Sequence, residues 1–423
     1  MKKKICIIGL GYVGLPLAAK LSNHYEVYGF DKNESRIKEL KRKFDKNNEL
    51  KKKDLINLNK KNLFSESIFL KKNHCDIYII TVPTPIKKNK NPNLKPIIEA
   101  TSMISNLIKG GEIIVYESTV YPSLTEDKLK KIIEKKSKKN CAYSSKDFKK
   151  GFSLVYSPER INPGDKYHQI QNITKVISGT NSKCISELKK IYSKLNNGKI
   201  FVAKNIKTAE AAKIIENIQR DLNIALVNEL SIIFEKMNIN INDVLDAAST
   251  KWNFHKYLPG LVGGHCIGVD PYYLTFKAKS LSINPKVILS GRSVNDKMSS
   301  FYASKINKLL KNKTKSKKIL IMGFAFKENV SDIRNTKVYD LYKNLKKYFK
   351  KIDIFDPVVN TNDVKKEYNL KIIKKPNFNK YNCIIFAVSH DKFKNLRIKK
   401  NNNKVFVIQI KKIFENNIVD FTF

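Results

Sequence analysis

The sequence predicts an α/β protein in which two parallel-sheet domains are joined by a long central helix and a helical middle domain. Three observations predict it. Short apolar, β-branched runs alternate with helix-compatible segments in the first and last thirds of the chain, the pattern of a parallel sheet buried between helices. Each of those thirds opens with such a run leading into glycine, at Lys4 to Gly9 and again at Ile319 to Gly323. Between them, Thr208 to Lys236 carries neither Gly nor Pro and is apolar at Ile214, Ile218, Leu222, Ala225 and Leu226, as one long helix would be. With 423 residues the chain has room for several cores. The expected boundaries are 1–205 for the first α/β domain, 206–310 for the helical middle and 311–423 for the second α/β domain.

The first element is the strand at Lys4 to Ile8. It leads into Gly9-Leu10-Gly11-Tyr12-Val13-Gly14 and a helical pattern through Leu15, Leu17, Ala18 and Leu21. Strand, glycine turn and helix together let backbone N–H groups approach a pyrophosphate at a helix N-terminus. Glu26 to Phe30 supplies a second strand ending in Asp31, at the distance where a carboxylate accepts from an adenosine ribose and repels a 2′-phosphate. A Rossmann-like domain binding NAD in preference to NADP is therefore expected.

Further strands are read over Asp76 to Pro85, stopped by its prolines with Thr84 near its end, and over Glu112 to Val120, ending in the hydroxyls of Ser118 and Thr119. Strand ends are where ligands of a parallel sheet sit, although a hydroxyl there also caps helices. Lys135 to Lys150 reads as an exposed loop, followed by a strand at Phe152 to Tyr156 and by Ser157-Pro158-Glu159-Arg160-Ile161. On the long helix, Lys213 and Asn217 share a face, as do Glu216 and Arg220, which reads as a surface pair. Lys311 to Lys318 reads as a polar linker. The last third adds strands at Lys351 to Asp356 and Cys383 to Val388, with Lys327, Asp332 and Arg334 just after its first strand.

The segment Gly263-Gly264-His265-Cys266-Ile267-Gly268-Val269-Asp270-Pro271 stands apart from any periodic pattern. Its glycines let the backbone come close to a ligand, and its cysteine has loop formers for neighbours. Cys6, Cys75, Cys141, Cys184 and Cys383 are scattered singly in apolar or helical settings, which suits small buried hydrophobes and no metal. Cys266 is the candidate nucleophile.

The formal charge of +44 comes from 82 Lys and Arg against 38 Asp and Glu. Lysine is spread along the whole chain and forms no arm or stripe, so no specific nucleic-acid partner is expected. No apolar stretch reaches the length of a membrane span, and the basic, apolar start is broken by Gly9, Gly11, Gly14 and Pro16. A cytoplasmic protein with reduced cysteines is expected.

In order along the chain, Gly9 to Gly14, Thr81 to Pro85, Glu117 to Val120, Ser157 to Asp165, Lys213 to Asn217, Gly263 to Pro271 and Gly323 to Thr336 resemble the UDP-glucose/GDP-mannose dehydrogenase family over essentially the full length. Lys251 to Phe254 and Gly260 to Leu274 are most similar to its UDP-N-acetylhexosamine branch, whose members serve surface-polysaccharide synthesis. The resemblance implies a four-electron oxidation of a sugar C6 hydroxyl to a uronate with NAD, through a thiohemiacetal and thioester on Cys266. It implies Lys213 and Asn217 at the oxyanion, and Asp270 as base or water orienter with Thr119 and Glu159. Gly9, Gly11, Tyr12, Val13, Gly14, Asp31, Arg36, Thr84, Thr119 and Arg334 are assigned to NAD. Glu159, Arg160, Lys213, Asn217, Gly263, Arg292 and Lys327 are assigned to the UDP-sugar. A homodimer or larger assembly built on the long helix is implied as well. Leu258 stands where the branch commonly has arginine, leaving Lys256 as the nearby cation. The competing readings are a UDP-glucose 6-dehydrogenase, a two-electron dehydrogenase of hydroxyacid type that needs no cysteine, and a basic binding protein on a disused dehydrogenase fold.

Overall fold

A computed structural model describes residues 3–423 except 48, 161–166, 168–169, 311–317, 397, 399–404 and 415–417. The expected linker therefore lies outside the described residues apart from Lys318, and so does the motif from Ile161 to Asp165. The described chain packs as two units, residues 1–216 with 272–282, and residues 217–271 with 283–423. This cut falls within the long helix, whereas the sequence suggested a three-way division.

In the first unit, β1 (Lys4–Ile8), β2 (Glu26–Phe30), β3 (Leu63–Phe64), β4 (Ile77–Ile80), β5 (Ile113–Tyr116), β6 (Ser153–Tyr156), β7 (Lys175–Gly179) and β8 (Ile200–Val202) form one sheet in the order β3-β2-β1-β4-β5-β6-β7-β8. Pairing is parallel from β3 through to β6. The exception is β7, antiparallel to β6 and parallel to β8. Both faces are buried: Cys6, Ile8, Tyr78 and Ile80 enter one core, and Ile5, Ile7, Ile77 and Ile79 the other. That two-sided burial is why these strands read as continuous apolar runs. Because β1 pairs with β2 on one side and β4 on the other, the chain reverses direction of winding at β1, and a crevice opens at that point beyond the strand ends.

The second unit carries a smaller all-parallel sheet of β9 (Lys318–Met322), β10 (Lys351–Phe355), β11 (Cys383–Phe386), β12 (Phe406–Gln409) and β13 (Phe421–Thr422), ordered β10-β9-β11-β12-β13. Its alternate residues again fill two cores, Ile319, Ile321 and Ile385 on one face and Leu320, Met322 and Phe386 on the other. The helix Lys286–Leu310 covers the first face with Met298, Tyr302, Ala303 and Ile306.

The long helix spans Ile206–Lys236. Ile214, Ile218 and Ala225 are buried as expected, but Leu226, expected on the same stripe, is 58% exposed. The stretch expected as an exposed loop from Lys135 is helical through Ser137, and Cys141 and Ala142 beyond it are buried beside Phe152. Among the described residues, no helix is long and apolar enough to cross a membrane.

Candidate active site

The glycine turn of the first unit is held from three sides. Gly9, at φ +96°, donates its N–H to the Phe30 carbonyl at 2.8 Å. The Leu10 N–H donates to Asp31 Oδ2 at 2.9 Å, and the Leu10 carbonyl accepts from Arg36 Nε at 2.9 Å. The Thr81 hydroxyl donates to the Gly9 carbonyl at 2.7 Å. A Cβ at Gly14 would sit 1.9 Å from the Gly9 carbonyl oxygen, so the helix Gly14–Leu21 can start here only from glycine. Gly11 has nothing within 4 Å of where its Cβ would be, which leaves the outer side of the turn open. An open turn at a helix N-terminus, half-exposed Tyr12 and Val13, and a half-exposed carboxylate at the end of β2 fit a dinucleotide. Arg36 is 5% exposed and gives its guanidinium to Leu10, Glu39 and Asp45. It braces the turn from beneath.

At the other strand ends, Ser118 donates to the Val82 carbonyl at 2.8 Å and Thr119 is half-buried beside it. Thr84 offers its carbonyl to Tyr273 at 2.9 Å. Past β6, Glu159 meets Lys175 at 3.1 Å, and the same ammonium lies 3.0 Å from Glu117, which also accepts from Tyr192 at 2.5 Å. Burial pushes the Glu117 carboxyl up while Lys175 draws it back. Burial also works against the Lys175 charge, but the two carboxylates win and hold its pKa above the usual value. Lys175 was not picked out from the sequence, and a lysine opening an otherwise apolar strand was the available signal. Arg160 pairs with Glu216 at 2.9 Å, so Glu216 is not the partner of Arg220 that helical spacing suggested. Lys213 is half-buried on the long helix.

In the second unit, Asn217 donates to Asp270 Oδ2 at 2.5 Å, both residues being buried. The cysteine loop is docked by its glycines. Gly264, at φ +84°, donates to the Asn335 carbonyl at 3.1 Å and accepts from Asn335 Nδ2 at 3.0 Å. A Cβ on Gly264 would enter the Phe326 ring at 2.6 Å, and one on Gly263 would lie 2.6 Å from the Asn335 carbonyl oxygen. The Cys266 carbonyl accepts from Val269 and Asp270 at 2.9 and 2.8 Å, which turns the chain into the helix Asp270–Ser280. Cys266 is half-buried, whereas the other five cysteines are buried.

His265 was not singled out by the sequence. Its Nδ1 lies 3.2 Å from Asp332 Oδ2. Arg334 grips the same carboxylate through Nε at 3.0 Å and Nη2 at 2.6 Å. Burial works against the imidazolium, but the bonds to Asp332 and Cys266 prevail and raise its pKa to about 9. Burial likewise opposes the Asp332 charge, yet His265 and Arg334 hold that carboxyl well below the usual range.

Gly263, Phe326, Lys327, Lys337, Ser389 and Lys411 line a solvent-open hollow of about 370 Å³ beyond the ends of β9, β11 and β12. Three lysines there suit a diphosphate. Arg292 is only 2% exposed and lies between Asp221 and Asp296, 2.6 Å from each. It ties its own helix to the long one. Lys256 pairs with Asp246, and Leu258 is 46% exposed.

Together, a dinucleotide turn in one unit and a cysteine loop with a lysine-lined hollow in the other define an NAD-dependent oxidoreductase. Comparison with known proteins refines this. Three models of the UDP-glucose/GDP-mannose dehydrogenase family match in order: its NAD-binding domain over residues 3–196, its central domain over 207–297 and its UDP-binding domain over 320–416. The chain is 46% identical over 396 residues to the UDP-N-acetyl-D-glucosamine 6-dehydrogenase of Salmonella typhi, covering 93% of this chain and 91% of that one. It is 44% identical to the enzyme of the same name from Pseudomonas aeruginosa, covering 93% and 92%. Among solved structures, the UDP-D-ManNAc dehydrogenase of Pyrococcus horikoshii superposes with a TM-score of 0.85 at 25% identity, covering 99% of this chain and 98% of that one. The chain belongs to the UDP-glucose/GDP-mannose dehydrogenase family.

Proposed function

We propose that this protein oxidises the C6 hydroxyl of a UDP-N-acetylhexosamine to the uronate in two successive two-electron steps, for surface-polysaccharide synthesis. NAD, when bound, takes the electrons of each step. Cys266 adds to the C6 aldehyde left by the first step and holds it as a thiohemiacetal. The second oxidation leaves a thioester. Water then adds at the carbonyl carbon, the C–S bond breaks, and the sulfur departs with its electron pair. The observation that carries this reading is the placing of Cys266, the one half-buried cysteine, on a glycine-built loop beside a histidine.

Lys213 and Asn217 stabilise the oxyanion, with Asn217 fixed by Asp270. Asp270, Thr119 and Glu159 orient or deprotonate the water. Lys327, Gly263, Arg160 and Arg334 serve the UDP-sugar or NAD, and Arg292 keeps the helix that carries Asn217 in place. On this reading, residues 1–205 hold NAD, 206–310 carry the catalytic loop, and 311–423 hold UDP. The N-acetyl sugar is favoured by the names of the curated relatives. Side-by-side assays of UDP-GlcNAc, UDP-GalNAc, UDP-ManNAc and UDP-glucose with NAD test it, and a preference for UDP-glucose would overturn the substrate.

The protein works in the cytoplasm as a homodimer or larger. Ile215, Leu226 and Ile233 on the long helix are all between 46% and 58% exposed, more apolar surface than one helix normally shows to water. Light scattering that gives a monomer at micromolar concentration in both low and moderate salt would overturn the assembly.

A further inference from the structure

The reversal of β7 decides what stands beside Glu159. Val155 pairs with Gly179 and Tyr156 with Ser178 in the antiparallel register. Continued past the end of β6, that register sets Glu159 opposite Lys175, the first residue of β7. A parallel strand would leave its first residue at the far end of the sheet, away from the carboxyl edge where ligands sit. The contacts follow the register. Ser157 donates to the Val176 carbonyl at 2.8 Å, Arg160 Nη1 to the Thr174 carbonyl at 3.1 Å, and Lys175 Nζ to Glu159 Oε2 at 3.1 Å. Glu159 Oε1 accepts from the Arg160 N–H at 2.7 Å, so both carboxylate oxygens are held. Lys175 is anchored in turn by Glu117, 3.0 Å away at the end of β5, and by the Tyr192 ring, whose centroid lies 5.2 Å from the ammonium.

We propose that Lys175 is a positioning residue for the reaction: its ammonium sets the place and orientation of the Glu159 carboxylate, which orients or deprotonates the attacking water. This rests on that reading of Glu159. The side chains of Glu117, Glu159 and Lys175 are between 0% and 11% exposed. Desolvating three charges takes back most of what their attraction gives, so stability alone is a poor reason for the cluster. Holding one carboxylate in a single orientation toward a reacting molecule is a better one. The other polar groups around it have partners of their own. Arg160 Nε pairs with Glu216 at 2.9 Å, and the Tyr192 hydroxyl donates to Glu117 at 2.5 Å. Lys175 acts through Glu159 and neither gives nor takes a proton in the reaction.

The test is steady-state kinetics of the full-length protein with NAD and the fastest of the UDP-sugars compared above, with a thermal melt on each variant. Lys175→Met keeps the length of the side chain and removes its charge. It should lower kcat about hundredfold while KM for both substrates stays within about twofold of wild type. Lys175→Arg, which restores the charge, should recover kcat to within about fivefold of wild type. Added to Glu159→Gln, Lys175→Met should cost less than about twofold further in kcat, because the residue it acts through is already gone. A merely structural role would lower the melting temperature and make the two losses multiply. Should Lys175→Met not fold, Lys175→Gln, which can still hydrogen-bond but carries no charge, takes its place with the same expectations. With Glu159→Gln itself slow, a kcat within about threefold of wild type in the uncharged variant overturns the proposal and leaves the role of Glu159 standing. Losses that multiply in the double variant, or a folded Lys175→Arg as slow as Lys175→Met, do the same. Glu159→Gln at full kcat overturns the reading of Glu159, and the proposal with it.

Discussion

The two sheets open with the same turn, and the side chains placed on it set them apart. Gly9 and Gly323 sit at φ +96° and +92°, and each donates its N–H to the last residue of the neighbouring strand, Phe30 or Phe355, at 2.8 Å. Each turn is then gripped by an aspartate just past that strand, Asp31 through the Leu10 N–H, and Asp356 through the Phe324 and Ala325 N–H groups at 2.6 and 3.0 Å. In the first unit two more glycines follow and leave the turn hollow, with a half-exposed aspartate at its rim. In the second, Phe324 and Ala325 fill the turn and are themselves fully buried. Asp356 is spent internally, accepting also from Val358, Val359 and buried His390. One backbone device thus makes a dinucleotide cradle where it is left empty. Where it is plugged, it makes a rigid platform from which Phe326, Lys327, Asp332 and Arg334 reach the cysteine loop and the hollow.

The largest expected effect that would break this contrast comes from the glycines. Gly14→Ala forces a methyl to 1.9 Å from a backbone oxygen and should abolish NAD binding, with a lowered melting temperature. Gly11→Ala meets no atom and should leave melting within about 1 °C, which for a unit of this size corresponds to about 0.5 kcal/mol. NAD titration and a thermal melt on both variants check this. Equal losses would mean that the turn is not hollow.

The two aspartates come next. Asp356→Ala strands buried N–H groups and should cost about 3 kcal/mol or more in denaturant unfolding, with NAD affinity unchanged. Asp31→Ala leaves one buried donor, the Leu10 N–H, without its acceptor and should cost less, about 1 kcal/mol, while weakening NAD about tenfold and narrowing the preference over NADP. A wild type that already uses NADP as well as NAD would show that Asp31 does not set the choice.

A smaller effect separates the units by pH. In the first, burial raises Glu210 to about 7 although it accepts from the Ser123 and Thr125 N–H groups. Its folded form binds more protons than the unfolded chain between the ordinary carboxyl value of 4.5 and about 7, so stability should decline as pH rises through that window, and Glu210→Gln should remove the slope. In the second, His265 is raised from 6.5 to about 9, so its contribution is full below 6.5 and lost as pH rises through 9. Asp332 and Asp356 are both lowered from 3.8, so theirs is full above that value and lost only in stronger acid. Denaturation followed from acid to alkaline pH checks the three windows.

What the sequence made legible was local. Gly9 to Gly14 with Asp31, and the cysteine loop with its glycine pair, are recognised because adjacent residues define their chemistry. The parallel strands were legible because burial on both faces leaves an unbroken apolar run. The antiparallel direction of β7 was not, since a strand reads the same either way. Pairings between distant segments were hidden for the same reason. Nothing near His265 announces Asp332, and nothing near Glu117 announces Lys175. The resemblance assigned Arg36 to NAD and Arg292 to the UDP-sugar, and only the fold shows their guanidinium groups held by internal carboxylates.

The central proposal is that NAD and Cys266 serve the same sugar through two successive oxidations. It is tested most directly by counting NADH formed from a limiting amount of UDP-N-acetylhexosamine, alongside the uronate released. The account predicts two NADH for each uronate in wild type, and loss of uronate with NAD affinity intact in Cys266→Ser. One NADH per sugar with an aldehyde or ketone as the end product, or a full uronate yield without the cysteine, would contradict it.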